Sequence, residues 1–288
     1  MAIPNILIQL DTDEQASTFD SVVAIDSNVD HLLRHSRVEP LAVRELVHGA
    51  MFTRGGDALK NTAIFVGGSD ILDGEDVFEA VKNSFFGPVR VSVMLDSGGC
   101  NTTAAAAVLA AASHIQLDGA TALVLGGTGP VGSRISRLLA RQGTAVRVAS
   151  RKRDRAEKTC ESIATRIPDA TLSAVAISSE SDLISAIEKV QLVFCAGAAG
   201  IQLLPASVRE AAIDLKTVID LNAVPPHGAQ GIEVHDRAKS YGSAICYGAV
   251  GVGGMKIKIH KTALRSLFEK NDLLLDAEEI FEIGQSLF

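Results

Sequence analysis

A chain of 288 residues is long enough for two domains or one large α/β domain. Its net charge of −7 argues against nucleic acid as a partner, and the lack of Trp with only 4% aromatic residues leaves little material for base stacking. A hydrophobic content of 47% describes a sizeable core, yet no apolar run reaches the ~18 residues of a membrane span.

From the N-terminus, the pattern predicts a strand over 5–10 that ends in Asp11-Thr12-Asp13. A helix over 17–25 follows, with Ser17 or Thr18 as its cap and Asp20 in its first turn. Residues 26–40 read as polar and irregular, and 41–47 as helical. Thr53 and Arg54, ahead of Gly55-Gly56, either bind substrate or shape a turn. A strong apolar strand over 62–66 ends in Gly67-Gly68, an amphipathic helix spans 73–85, and a strand over 88–95 closes on Asp96-Ser97-Gly98-Gly99. Asn101, Thr102 and Thr103 then precede an Ala-rich helix over 104–112. These three residues cap that helix, or face a cleft whose floor it forms.

The next stretch is the most specific in the chain. Residues 121–125 form a short run of β-formers, read as a buried parallel strand. Then comes Gly127-Thr128-Gly129-Pro130-Val131-Gly132, in the spacing G-x-G-x-x-G, with a helix over 131–141 and a second strand over 145–149. In this context Gly127 allows the turn, Gly129 admits a diphosphate to the backbone, and Gly132 lets the helix pack on the strand. The helix N-terminus offers free N–H groups and a positive dipole end. The plainer alternative is a Gly-rich turn without a ligand. At the end of the second strand, NAD enzymes usually carry an acidic residue. This chain has Ser150, Arg151, Lys152 and Arg153 there. A hydroxyl and cations suit a 2′-phosphate, so the expected cofactor is NADP.

Further on, helices are expected over 155–166 and 181–190, the second capped by Ser181, and strands over 172–176, 192–195 and 217–220. The last two strands run into Ala196-Gly197-Ala198 and into Asn222-Ala223. Ligands of doubly wound sheets sit outside the carboxyl ends of strands, so both loops belong near a nicotinamide. Residues 241–254 are Gly-rich and apolar. A helix over 255–268 places Lys256 and His260 on one face, and a helix over 276–287 ends the chain. His31, His35, His48, His114, His227 and His235 show no metal-ligand spacing. Cys100, Cys160, Cys195 and Cys246 form no C-x-x-C, so they read as reduced thiols of a cytoplasmic protein, without zinc. The first residues lack a basic-then-apolar pattern, so no signal peptide is expected. The alternation of strands and helices predicts two α/β domains. Residues 1–113, completed by 255–288, form a substrate domain, and 114–254 a Rossmann-type, doubly wound NADP domain.

Several stretches together carry a family resemblance: 9–13, Phe52-Thr53-Arg54-Gly55-Gly56, 62–68, 85–92, 94–106, the glycine motif, Arg151-Lys152, 222–228 and 248–260. Over nearly its whole length the chain resembles the bacterial NADP-dependent methylene-tetrahydromethanopterin dehydrogenases of methanol-oxidising bacteria. Gly99-Cys100 and Met51 depart from the family pattern. The resemblance implies hydride transfer from a methylene pterin to NADP, an active site in the cleft between two domains, activity on methylene-tetrahydrofolate as well, and a homo-oligomer, a trimer in this family.

Such a reaction asks little of side chains. The product cation is delocalised over two nitrogens and no proton has to move, so placement dominates. Asp20, Asp96 and Asp11 are candidates to accept from pterin N–H groups and to favour the cation, with turn or capping roles as the alternative. The expected catalytic set is Lys256, Asp20 and His260, with Thr53, Arg54, Asp96, Asn101 and Thr102 binding the pterin. Two other functions fit the same elements. One is an NADP dehydrogenase of shikimate or amino-acid type, which usually needs a Lys–Asp pair. The other is a non-catalytic NADP-binding regulator.

Overall fold

The structure, a computed structural model, describes residues 3–288. In chain order the elements begin β1 (Ile6–Asp11), α1 (Thr18–Ile25), β2 (His31–His35), α2 (Pro40–Phe52), β3 (Thr62–Gly67), α3 (Ile71–Asn83), β4 (Ser92–Leu95) and α4 (Cys100–Ala112). Then come β5 (Thr121–Leu125), α5 (Pro130–Arg141), β6 (Ala145–Ser150), α6 (Arg153–Arg166), β7 (Leu172–Ala176), α7 (Glu180–Ile187), β8 (Leu192–Cys195), α8 (Ala206–Ala211) and β9 (Thr217–Asp220). The chain finishes with β10 (Lys239–Tyr241), β11 (Ala244–Tyr247), α9 (Ala249–Ser266), β12 (Leu274–Leu275) and α10 (Ala277–Gln285).

These elements gather into two compact units, one running up to Thr102 with Ile257–Phe288 added, the other Thr103–Lys256. The chain passes from one to the other inside α4 and returns inside α9. The first unit holds a five-stranded, all-parallel sheet in the order β2-β1-β3-β4-β12. Because β1 and β3 are neighbours while the chain visits β2 between them, the strand order reverses between β1 and β3. Its core is aliphatic: Leu10, Val43, Val47, Met51, Ile64, Val66, Val77, Val81 and Val93 are buried together. The second unit holds seven strands in the order β10-β11-β9-β8-β5-β6-β7, parallel except for the β10 edge. That is the doubly wound order of dinucleotide-binding folds, with its reversal between β5 and β8. Leu123, Leu125, Leu183, Val193, Val208, Leu215 and Val218 lie in its core.

Several local expectations are corrected. Residues 26–40 contain β2, an edge strand paired only with β1; its His-Leu-Leu-Arg-His sequence is mostly exposed, so it lacks the apolar pattern of a buried strand. Ser17 does cap α1, its side chain accepting from the Asp20 N–H. Asn101 and Thr102 do not cap α4, which already begins at Cys100; Asp96 accepts from the Thr102 N–H instead. The cap of α7 is Ser179, in a reciprocal pair with Asp182, rather than Ser181. The Gly-rich stretch is not a loop: β11 ends at Tyr247 and α9 starts at Ala249. Gly248 and Gly251 serve close packing there, because a Cβ would come within 2.0 and 1.9 Å of the Glu233 and Asp236 carbonyls.

Candidate active site

The second unit builds a cradle out of missing side chains. Gly126 turns the chain out of β5 with φ +74°, so the left-handed step falls there and not at Gly127 as the motif suggested. A Cβ on Gly126 would sit 2.7 Å from the Ala196 carbonyl and the Gly197 backbone. Gly127 packs on the sheet: its N–H donates to the Ala149 carbonyl, and a Cβ would meet Val124 O and Val148 at 2.9 Å. A Cβ on Gly132 would lie 2.3 Å from the Gly126 carbonyl, so this glycine lets α5 lie against the turn, as expected. Gly129 is the N-cap of α5 and makes no side-chain cap; Pro130 takes the first helical position, where its missing N–H costs nothing. No acidic residue occupies the first turn. Thr128, Gly129 and Val131 are half-buried and Pro130 is exposed, so the N-terminus of α5 is open to solvent.

Beside it, β6 ends at Ser150, whose hydroxyl accepts from the Lys152 N–H at 3.3 Å and folds the loop back. Arg151 and Lys152 are exposed, and among the described residues no acidic side chain pairs with either. Arg153, by contrast, is engaged with Glu157 one turn along α6. The loop after β8 closes the opposite side. Ala196 and Gly197 touch the Gly126 turn, and Ala198 is exposed. Asn222 is buried and bonded at both ends of its amide: Oδ1 accepts from Gly200 N and Val224 N, and Nδ2 donates to the Pro226 carbonyl. It therefore ties the post-β8 and post-β9 loops together and leaves Ala223 exposed next to the junction. Beneath it lies Asp220, at the end of β9 and only 1% exposed. Burial raises the Asp220 carboxyl above its ordinary pKa, against the pull of N–H donors from Ala229, Asn222 and Gly228.

The first unit gathers side chains instead. Asp11, Gly67 and Asp96 end the neighbouring strands β1, β3 and β4, at the sheet edge where the order reverses. A Cβ on Gly67 would be 3.2 Å from Asp11 Oδ2 and 3.7 Å from Asp20 Oδ2, so this glycine makes room for two carboxylates. Asp11 is consumed by its own turn: it accepts from Asp13 N, Ser17 N and Gln9 Nε2. These bonds tie Asp11 to the turn between β1 and α1. Asp20 is half-buried in the first turn of α1. Asp96 is fully buried; Thr102 gives it an N–H at 3.0 Å and a hydroxyl at 2.6 Å, and His260 Nδ1 stands 3.9 Å away.

His260 is itself fully buried, stacked on Phe65 at 5.7 Å with Phe19 at 6.4 Å. Lys256, one turn earlier on α9, is half-buried. Asn101 bridges the Leu95 carbonyl and Asp276 Oδ1, fastening α10 to the end of β4. Thr53 is the C-cap of α2. Arg54 donates to the Pro4 and Asn61 carbonyls, which precede β1 and β3. That is the amino edge of the sheet, about 20 Å from the carboxyl edge for six-residue strands. Arg54 thus shapes the sheet's opposite end and does not join the carboxylates. Sequence reasoning overlooked Phe19, Gln9 and Asp220. Gln9 is the one polar residue inside an apolar strand, and that signal was there to read. Among the described residues, no cluster of His, Cys, Asp or Glu could hold a metal ion, and no helix is long and apolar enough to cross a membrane.

Known proteins resemble both halves. Residues 18–98 match the N-terminal domain of methylene-tetrahydromethanopterin dehydrogenase, and residues 122–260 match the NAD dependent epimerase/dehydratase family. The chain is 42% identical to the bifunctional protein MdtA of Methylorubrum extorquens, covering 98% of both proteins. It is 28% identical to the NAD(P)-dependent methylenetetrahydromethanopterin dehydrogenase of the same organism, covering 97% of both. Among solved structures, quinate dehydrogenase from Corynebacterium glutamicum in complex with NAD aligns with a TM-score of 0.51 at 13% identity, over 98% of this chain and 99% of that one. The 5-ketofructose reductase of a Gluconobacter species gives 0.51 at 12% identity over 99% of both. Those two likenesses concern the fold alone. With 42% identity across almost the entire length, this chain belongs to the methylene-tetrahydromethanopterin dehydrogenase family.

Proposed function

We propose that this protein is an NADP-dependent dehydrogenase that oxidises methylene-tetrahydromethanopterin, and also methylene-tetrahydrofolate, to the methenyl form. What carries the reading is the conjunction of full-length family membership with a bare backbone cradle ending beside two exposed cations. The cradle fits the cofactor. Gly126, Gly127 and Gly132 hold the turn where any side chain would collide, and the N-terminus of α5 that follows it would receive a diphosphate. Ser150, Arg151 and Lys152 seat the 2′-phosphate, which a carboxylate would repel. Thr128 and Pro130 line the cofactor's path from the β5–α5 turn, and Ala196, Gly197, Ala198 and Ala223 from the two loops that Asn222 ties together.

Bound NADP supplies the hydride acceptor at C4 of its nicotinamide ring. The chain's part is binding and electrostatics. Asp20 accepts from pterin N–H groups, and the negative charge of Asp20 and Asp96 favours the cation left on the pterin as the hydride departs. Thr102 keeps Asp96 oriented, and His260 packs on the same carboxylate. Lys256, four residues before His260 on α9, is the remaining member of the expected catalytic set. The hydride leaves with its electron pair, the methylene carbon becomes a methenyl cation, and no proton needs a carrier. The four cysteines are free thiols, which suits a reducing cytoplasm. By family resemblance the protein works as a homo-oligomer, a trimer.

The test is an assay with pure protein, NADP and each methylene pterin, followed at the NADPH absorbance band. Turnover with either pterin is expected. NADP binding without turnover would indicate a regulator. Reduction of a shikimate-like carbonyl in place of pterin oxidation would indicate the other dehydrogenase class.

A further inference from the structure

We propose that Gln9 is a positioning residue for pterin oxidation and acts through Asp20. This rests on the reading of the first unit's carboxyl edge given above. Gln9 is 1% exposed, in a strand that is otherwise apolar up to its last residue, Asp11. A buried amide of this kind costs stability unless both its ends are bonded. Here they are, and every partner belongs to the start of α1 or to the turn that leads into it. Gln9 Nε2 donates to Asp11 Oδ2 at 3.1 Å and to the Ser17 carbonyl at 3.5 Å, and Gln9 Oε1 accepts from the Ser21 hydroxyl at 3.1 Å.

The links continue outward. Asp11 Oδ2 also accepts the Ser17 N–H at 2.9 Å, and Ser17 Oγ accepts the Asp20 N–H at 3.2 Å. Asp11 Oδ2 and Asp20 Oδ2 stand on the same side of Gly67, both within 4 Å of where its Cβ would be. Gln9 therefore does two things at once. It fixes the register of the α1 first turn against the end of β1, and it places a donor on the carboxylate that shares Asp20's space. Without that donor Asp11 presents more uncompensated charge to Asp20, and the turn carrying Asp20 loses an anchor on the sheet. Residues that act through one another couple, whereas independent ones add.

A double-mutant cycle reads this directly. Gln9→Leu should lower kcat/KM for the methylene pterin by about tenfold while KM for NADP stays within about twofold. In an Asp20→Asn background the same change should cost less than about twofold. Ser21→Ala, which removes the hydroxyl shared between Gln9 Oε1 at 3.1 Å and the Ser17 carbonyl at 2.8 Å, should lower kcat/KM by about threefold and lose that effect in the same background; it replaces Gln9→Leu if the latter does not fold. Effects that multiply across the Asp20→Asn background, or KM values for pterin and NADP that rise together, would overturn the proposal while leaving the dehydrogenase reading intact. A wild-type chain that turns over no methylene pterin would overturn the site reading and this proposal with it.

Discussion

The carboxyl edges of the two sheets are built in opposite ways. At the carboxyl edge of β5, β6 and β8, the site consists of backbone and of what glycine leaves out, flanked by Arg151 and Lys152, two cations with no acidic partner among the described residues. At the carboxyl edge of β1, β3 and β4, it consists of buried side chains that bond one another first: Gln9 to Asp11, Asp11 to Ser17, Thr102 to Asp96. Backbone donors and exposed cations suit a ligand whose recognised groups are phosphates, rigid in charge and tolerant in position. A network of oriented carboxylates suits a heterocycle whose N–H pattern must be met at fixed points. The first arrangement fails by obstruction, the second by loss of alignment.

That contrast can be broken at its strongest point. Gly132→Val should abolish NADP binding, with a loss of at least about a hundredfold, because even a Cβ there would lie 2.3 Å from the Gly126 carbonyl. Cofactor titration by fluorescence measures it; near wild-type affinity would mean that the turn yields and the cradle is not set by contact. In the first unit, Thr102→Val keeps the shape and the N–H to Asp96 but removes the 2.6 Å hydroxyl. Leaving a buried carboxylate one donor short costs about 1–3 kcal/mol, so kcat/KM for the pterin should fall by roughly tenfold or more with KM for NADP unchanged. An equal rise in both KM values would dissolve the distinction between the two sites. Smallest is Arg151→Ala, expected to raise KM for NADP about tenfold and leave KM for NAD alone. If KM for NADP holds still, the basic loop is solvated and Lys152 and Ser150 suffice.

The cradle was legible because its signal is local: glycines at fixed spacing, a strand before, a helix after. Even so, the spacing misplaced the left-handed step by one residue, since Gly126 and Gly127 are adjacent and only the packing on Ala196 and on Val148 tells them apart. The other site was legible only in part. Asp20 and Asp96 stand out as charges at element ends. Asp11 is spent within its own turn, on Gln9, Asp13 and Ser17, whereas nothing local says that Arg54 lies at the far edge, because that depends on its reach back to Pro4, ahead of β1. His260 is expected in the catalytic set by its helix face alone, and its complete burial beside Asp96 and Phe65 comes from packing that the helix pattern does not carry. Gly248 and Gly251 are there for contact with 233–236, which no window of sequence shows. β2 escaped notice because an exposed edge strand need not alternate.

The last strand of the first sheet has a consequence for biosynthesis. β12 pairs with β4 through Leu274 and Leu275, some 180 residues further along the chain, and Asn271 and Leu273 add bonds to the same segment. While the ribosome is still making the intervening Rossmann unit, β4 waits as an open edge that other nascent chains could pair with. The N-terminal half is therefore finished last, and a chain released without its final twenty residues would carry an unsealed sheet.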